Sequence, residues 1–272
     1  MTVSTSSHLE TAATHLPNSA TGNRLSTQRQ LITGRRVWAM LAARIGLAVS
    51  FQALFAAIHW VSGDPSPWRA AADWWLASLV LAEMVNLWLL ARCARLEGIR
   101  LRDLYNAQIA TWRGDLKWAV LALVVAAPLA LIPGALLADA LWADPQIAQD
   151  MLFRAVWVPA AWVLLLVFPV VHALTELPTY FGYVMPRLRV ITGRSGLSLL
   201  LTASTLSVQH AFLPLLFNGP YLVWRALMFL PLAVWLGWVI RRRGSALPYV
   251  AAAHGLLDVS LPVFVLIASL SG

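Results

Sequence analysis

Cysteine and lysine are almost absent from this chain: Cys93 and Lys117 each stand alone in 272 residues. A single thiol excludes a disulfide framework and a cysteine-ligated metal cluster. Charge is scarce as well, at 12% of residues, about half of what a soluble domain carries. There is no glycine-rich phosphate loop, no repeat of fixed period, and no linker long enough to separate two folded domains. Residues 1–34 contain Ser, Thr, Asn and Ala but neither the short apolar run nor the cleavage site of a signal peptide. They are expected to form a disordered cytoplasmic tail, with residues 35–272 as one helical domain.

What the chain has in excess is apolar surface. Hydrophobic residues make up 60% of it, with 14 tryptophans, more than one soluble core can hide. Crossing the hydrocarbon of a bilayer takes about 20 mainly apolar residues, and runs of that kind cover roughly residues 37–61, 71–91, 116–138, 154–175, 197–217, 221–240 and 246–269. In lipid only helices satisfy their own backbone over such lengths. The expectation is an all-α polytopic transmembrane bundle of about seven spans whose first partner is the lipid bilayer.

The net charge of +8 does not point to nucleic acid, because the arginines punctuate the apolar runs. Arg24, Arg29, Arg35 and Arg36 precede the first run, and Arg92, Arg95, Arg100, Arg102, Arg113 and Lys117 separate the second from the third. Arg187, Arg189 and Arg194 follow the fourth, and Arg241, Arg242 and Arg243 lie between the last two. Basic residues thus crowd alternate loops, which predicts an N-terminus in the cytoplasm; the plasma (inner) membrane is the expected location. Trp60, Trp68, Trp74, Trp142 and Trp157 fall near span ends, as an interfacial belt does.

Titratable groups within apolar spans are costly and therefore informative. They are Arg44, His59, Glu83, His172, Glu176, His210, His254 and Asp258. Arg44 and Glu83 suit a structural ion pair between the first two spans, and His59 beside Trp60 suits the interface. The other five gather in the C-terminal half. His254 and Asp258 are four residues apart and share a helix face, as do His172 and Glu176. A carboxylate and imidazoles meeting in a wet cavity take a proton from water and stabilise the resulting anion. The same donors also suit a divalent metal such as zinc with an open position for water. Pro178, Gly182 and Pro186 follow Glu176 closely, so a helix break is expected there.

Three segments in order carry a resemblance: Glu176-Leu177-Pro178-Thr179-Tyr180-Phe181-Gly182, Leu206-Ser207-Val208-Gln209-His210, and His254-Gly255-Leu256-Leu257-Asp258. Together they resemble the motifs of the CAAX protease and bacteriocin-processing (Abi) family of intramembrane proteases, over roughly residues 154–272. That family carries Glu-Glu-x-x-x-Arg-Gly, then aromatic-x-x-x-His, then His-x-x-x-Asn or Asp. Here Leu177 stands at the second glutamate, Phe181 at the arginine and Leu206 at the aromatic position. The resemblance implies an intramembrane endopeptidase acting on a peptide or lipidated peptide, with Glu176 and His210 activating water. His254 and Asp258 would stabilise the oxyanion or join a metal site. Loss of the arginine removes a partner that holds a carboxylate ionised, which supports a second reading, a catalytically silent scaffold. A proton-coupled transporter is the third, because Glu and His chains also relay protons.

Overall fold

The structure is a computed structural model that describes residues 34–144 and 146–271. The expected tail lies outside the described residues except for Gly34, where the first helix begins. The architecture is an all-α polytopic membrane helical bundle, without strands among the described residues. Its helices are α1 (Gly34–Val61), α2 (Pro67–Asp73), α3 (Trp75–Leu96), α4 (Trp112–Leu141), α5 (Gln146–Leu152) and α6 (Val158–Leu177). There follow α7 (Met185–Thr192), α8 (Ser195–Val208), α9 (Gly219–Leu227), α10 (Leu230–Arg242), α11 (Leu247–Leu257) and α12 (Ser260–Ser271). Helix α6 is central, packed against α3 on one side and α11 and α12 on another.

Among the described residues, six helical stretches are long and apolar enough to cross a membrane: 34–61, 75–96, 101–141, 158–192, 219–242 and 244–271. The seventh expected run, 197–217, differs. Its helix α8 has 14 residues, about 21 Å at 1.5 Å per residue and short of the ~30 Å hydrocarbon. The chain then leaves α-helix through a tight turn at Gln209–Ala211 and an irregular segment to Asn218. Asn218 restarts the helix, its side chain accepting a hydrogen bond from the Tyr221 backbone N–H at 3.0 Å.

The expected break after Glu176 is also corrected. The helix continues from Val158 to Thr192 through a π-helical segment, Pro178–Val184. Pro178 has no N–H to offer the Leu174 carbonyl and would crowd the turn behind it; the wider π turn accommodates the ring. The orphaned Leu174 carbonyl is taken by the Tyr105 hydroxyl at 2.6 Å. Helix interruptions occur instead at Met228–Phe229 and Asp258–Val259, within the last two apolar stretches.

Large apolar side chains face outward along α4 and α6, among them Val124, Leu131, Leu136, Leu166 and Val170. Such a surface needs lipid around it. Inside, one apolar core gathers around Leu41, Leu90, Tyr180, Leu236 and Val250, and another around Ala48, Leu79, Phe168 and Val265. On α1, α3, α6 and the α11–α12 junction, the charged residues fall between these two cores.

Candidate functional site

Four helical elements deliver this polar layer. Arg44 comes from α1, Glu83 from α3, His172 and Glu176 from consecutive turns of α6, and His254 and Asp258 from the end of α11. Arg44 and Glu83 are fully buried, His172 and Glu176 nearly so. The expected Arg44–Glu83 pair is present at 2.9 Å, and the same Arg44 nitrogen, Nη2, lies 3.2 Å from Glu176 Oε1. Glu83 in turn meets His172 Nδ1 at 2.5 Å. The pair is therefore an extension of the site and not a separate staple.

The two i, i+4 pairs face each other. His254 Nε2 is 2.7 Å from Glu176 Oε2 and 3.3 Å from Asp258 Oδ2. His172 Nε2 is 3.3 Å from Glu176 Oε2 and 3.1 Å from Asp258 Oδ2. This approach depends on Gly255, because a Cβ there would lie 2.7 Å from both the Pro169 carbonyl oxygen and the Ala173 Cβ of α6. Asp258 Oδ2 is buried yet accepts no well-directed hydrogen bond among the described residues, despite its closeness to both imidazoles. An acceptor left over between two imidazole nitrogens suits a cation better than it suits the hydrogen bonds present. Ligand atoms of His172, His254 and Asp258 all lie within 4.8 Å of one another. His172 is the better oriented for such a role because Glu83 engages its other nitrogen.

Charge points the same way. Glu83, Glu176 and Asp258 bring three carboxylates against the one guanidinium of Arg44. With neutral imidazoles two positive charges are lacking, and a divalent cation supplies both; protonation of His172 and His254 is the alternative.

Sequence reasoning placed Glu176, His210, His254 and Asp258 in one site. The structure brings Glu176, His254 and Asp258 into contact and sets His210 differently. No hydrogen bond joins His210 to Glu176 among the described residues; its Nδ1 lies 3.2 Å from the Ser207 carbonyl and its ring packs on Phe229, 4.5 Å between centroids. The residue that reaches Glu176 from that segment is Gln209, whose amide donates to Oε1 at 2.6 Å while its own oxygen accepts from the Tyr180 hydroxyl at 2.8 Å. The reason lies in the tight turn at Gln209–Ala211, which aims residue 209 at α6 and residue 210 along the cavity wall. With Nδ1–H given to Ser207, His210 Nε2 keeps a lone pair for a proton. Gln209 and Tyr180 were missed, and only their positions beside motif residues mark them. His172 did carry a signal, its four-residue spacing from Glu176.

A cavity of about 150 Å³ adjoins the cluster, with His172, Glu176, His210, His254 and Asp258 in its lining. Its remaining wall is largely apolar, with small residues Ala126, Ala127 and Ala130 of α4 leaving the space open. Room of this size admits several waters beside the polar groups.

Fold and site together define a membrane-embedded helical bundle with a carboxylate–imidazole cluster at the wall of an apolar cavity. Compared with protein-family models, curated proteins and solved structures, the chain matches none.

Proposed function

We propose that this protein is an intramembrane hydrolase, an endopeptidase of the CAAX protease/Abi type, oriented with its N-terminus in the cytoplasm of the plasma membrane. The observation that carries the reading is the meeting of Glu176, His172, His254 and Asp258 on the wall of a largely apolar cavity. The cavity accepts apolar side chains of a peptide or lipidated peptide, and the polar part of its wall presents groups that handle a proton. Glu176 acts as the general base, with His210 in the lining of the same cavity. His172, His254 and Asp258 are the proposed ligands of a divalent metal such as zinc, which when bound lowers the pKa of water and polarises a carbonyl. Arg44 and Gln209 hold Oε1 of Glu176, and Oε2 faces the two imidazoles.

The saturation of Glu176 by four neighbours favours a second reading, in which the cluster only ties the helices together in a catalytically silent scaffold. Cleavage of a fluorogenic apolar peptide in proteoliposomes separates the two. Glu176→Gln keeps the shape but removes the base and exchanges one acceptor oxygen for an amide donor, so turnover should fall about 10²–10⁴-fold with the protein still folded. Absence of wild-type turnover across a broad peptide library, with Glu176→Gln lowering thermal stability, would establish the scaffold.

A further inference from the structure

Buried arginines in this bundle are answered by carboxylates, with one exception. Arg44 has Glu83 and Glu176, and Arg187 has Glu97. Arg225 on α9 is 4% exposed, yet among the described residues no carboxylate lies within ion-pairing distance of it. Its donors go to neutral acceptors: Nε to the His210 carbonyl at 3.2 Å, Nη2 to the Leu213 carbonyl at 2.9 Å, and Nη1 to Met228 Sδ at 3.7 Å. The last is a weak acceptor. A guanidinium without a counter-charge is expensive in a buried, largely apolar site, and a charge kept there points to function. Arg225 also lines the same cavity as Glu176 and His254, next to His210.

We infer that Arg225 is the anion-recognition residue of this cavity and seats the carboxylate of an apolar peptide. The inference rests on the reading of the cavity as the peptidase site and adds the feature by which a substrate or product is positioned there. A guanidinium offers a planar fork matched to a carboxylate, and a donor now spent on a thioether sulfur is cheaply redirected. The space of about 150 Å³ is that of a cavity that takes benzene, room for the terminal side chain of a peptide beside its carboxylate, whereas the two acyl chains of a phospholipid would stay outside it. Peptide is therefore favoured over a lipid phosphate as the source of the anion. Trp224 and Phe229 flank the guanidinium at 5.7 and 5.8 Å and hold it in place.

The test is calorimetric titration of the detergent-solubilised full chain with acetyl-trileucine, with its C-terminal amide, and with decyl phosphate. Wild type and Glu176→Gln should both bind the acid about tenfold or more tightly than the amide, as loss of a charge-assisted hydrogen bond implies. Arg225→Gln should bring that ratio to about one, and Arg225→Lys should retain part of it. Because the ratio is taken within one preparation, a partly unfolded variant does not imitate the result. Equal affinity for acid and amide in wild type, no binding of either, or a ratio that survives Arg225→Gln would overturn the proposal. Arg225-dependent binding of decyl phosphate without that of the acid would overturn the peptide as source. An intact ratio in a protein that cleaves no peptide would instead count against the hydrolase and leave the anion site standing.

Discussion

Arg44 Nη2 touches two carboxylates from two other helices, Glu83 and Glu176, with every atom of its side chain shielded from solvent. Removing one member of a buried ionic set leaves the others uncompensated, typically at about 3–5 kcal/mol. Arg44→Met should therefore destabilise the protein by an amount of that order in a denaturant titration in mixed micelles. Adding Glu83→Gln removes one of the stranded charges and should recover part of the loss, an interaction that a double-mutant cycle reads directly. Independent, additive losses would mean that the three side chains do not act as a unit. This arginine also bears on the resemblance. At the position where the family carries an arginine, Phe181 is 1% exposed and packs against Gly237 and Leu199; the guanidinium beside Glu176 comes instead from α1. Spacing along α6 and α11 made Glu176, His254 and Asp258 legible, because i, i+4 pairs are local. The contribution of Arg44, Glu83 and Gln209 was hidden, since it depends on which helices touch. Nothing local encodes that.

At the scale of elements, the junction of α11 with α6 decides whether the two histidine–acid pairs meet. Gly255 permits it, and even one methyl group there would press on backbone. Overpacking costs about 1–3 kcal/mol, so Gly255→Ala should lower stability by that much and reduce peptide turnover by separating His254 from Glu176. Gly46 on α1 has open space around it and is the control: Gly46→Ala should be neutral or stabilising by up to about 1 kcal/mol. If both substitutions behave alike in thermal unfolding, close approach at Gly255 is not what positions the site. Elements were legible where hydrophobic runs are long and less so at their interruptions. Prolines at 178 and 186 argued for a break, yet Tyr105, far off in sequence, satisfies the freed carbonyl and lets the helix run on as a π segment. Conversely, the interruption at Asp258–Val259 carries no glycine or proline at the break itself, so punctuation residues could not announce it.

On the scale of the whole molecule, the bundle is apolar outside, apolar at its inner cores, and charged in the layer between the two largest of them. That division was foreseeable from composition, because the few charged residues within apolar runs have no other place to go. The meeting of these charges in one connected cluster was not, since it depends on which helices touch. Three carboxylates against one guanidinium leave a deficit of positive charge with neutral imidazoles, and the divalent cation proposed for His172, His254 and Asp258 would supply it without protonating either imidazole. A ligand that binds only the folded state stabilises it by about 2.7 kcal/mol at one hundred times its dissociation constant. Zinc added to chelator-treated protein should accordingly raise the unfolding midpoint by several degrees, with one equivalent bound by elemental analysis. His254→Ala and Asp258→Asn should each abolish both the shift and the stoichiometric metal, while His59→Ala, at an exposed helix end where the ring faces Asp64 at 3.4 Å, should leave both intact. A midpoint indifferent to zinc, with no metal in wild type, would assign the missing charge to the two imidazoles and leave Glu176 with a metal-free task.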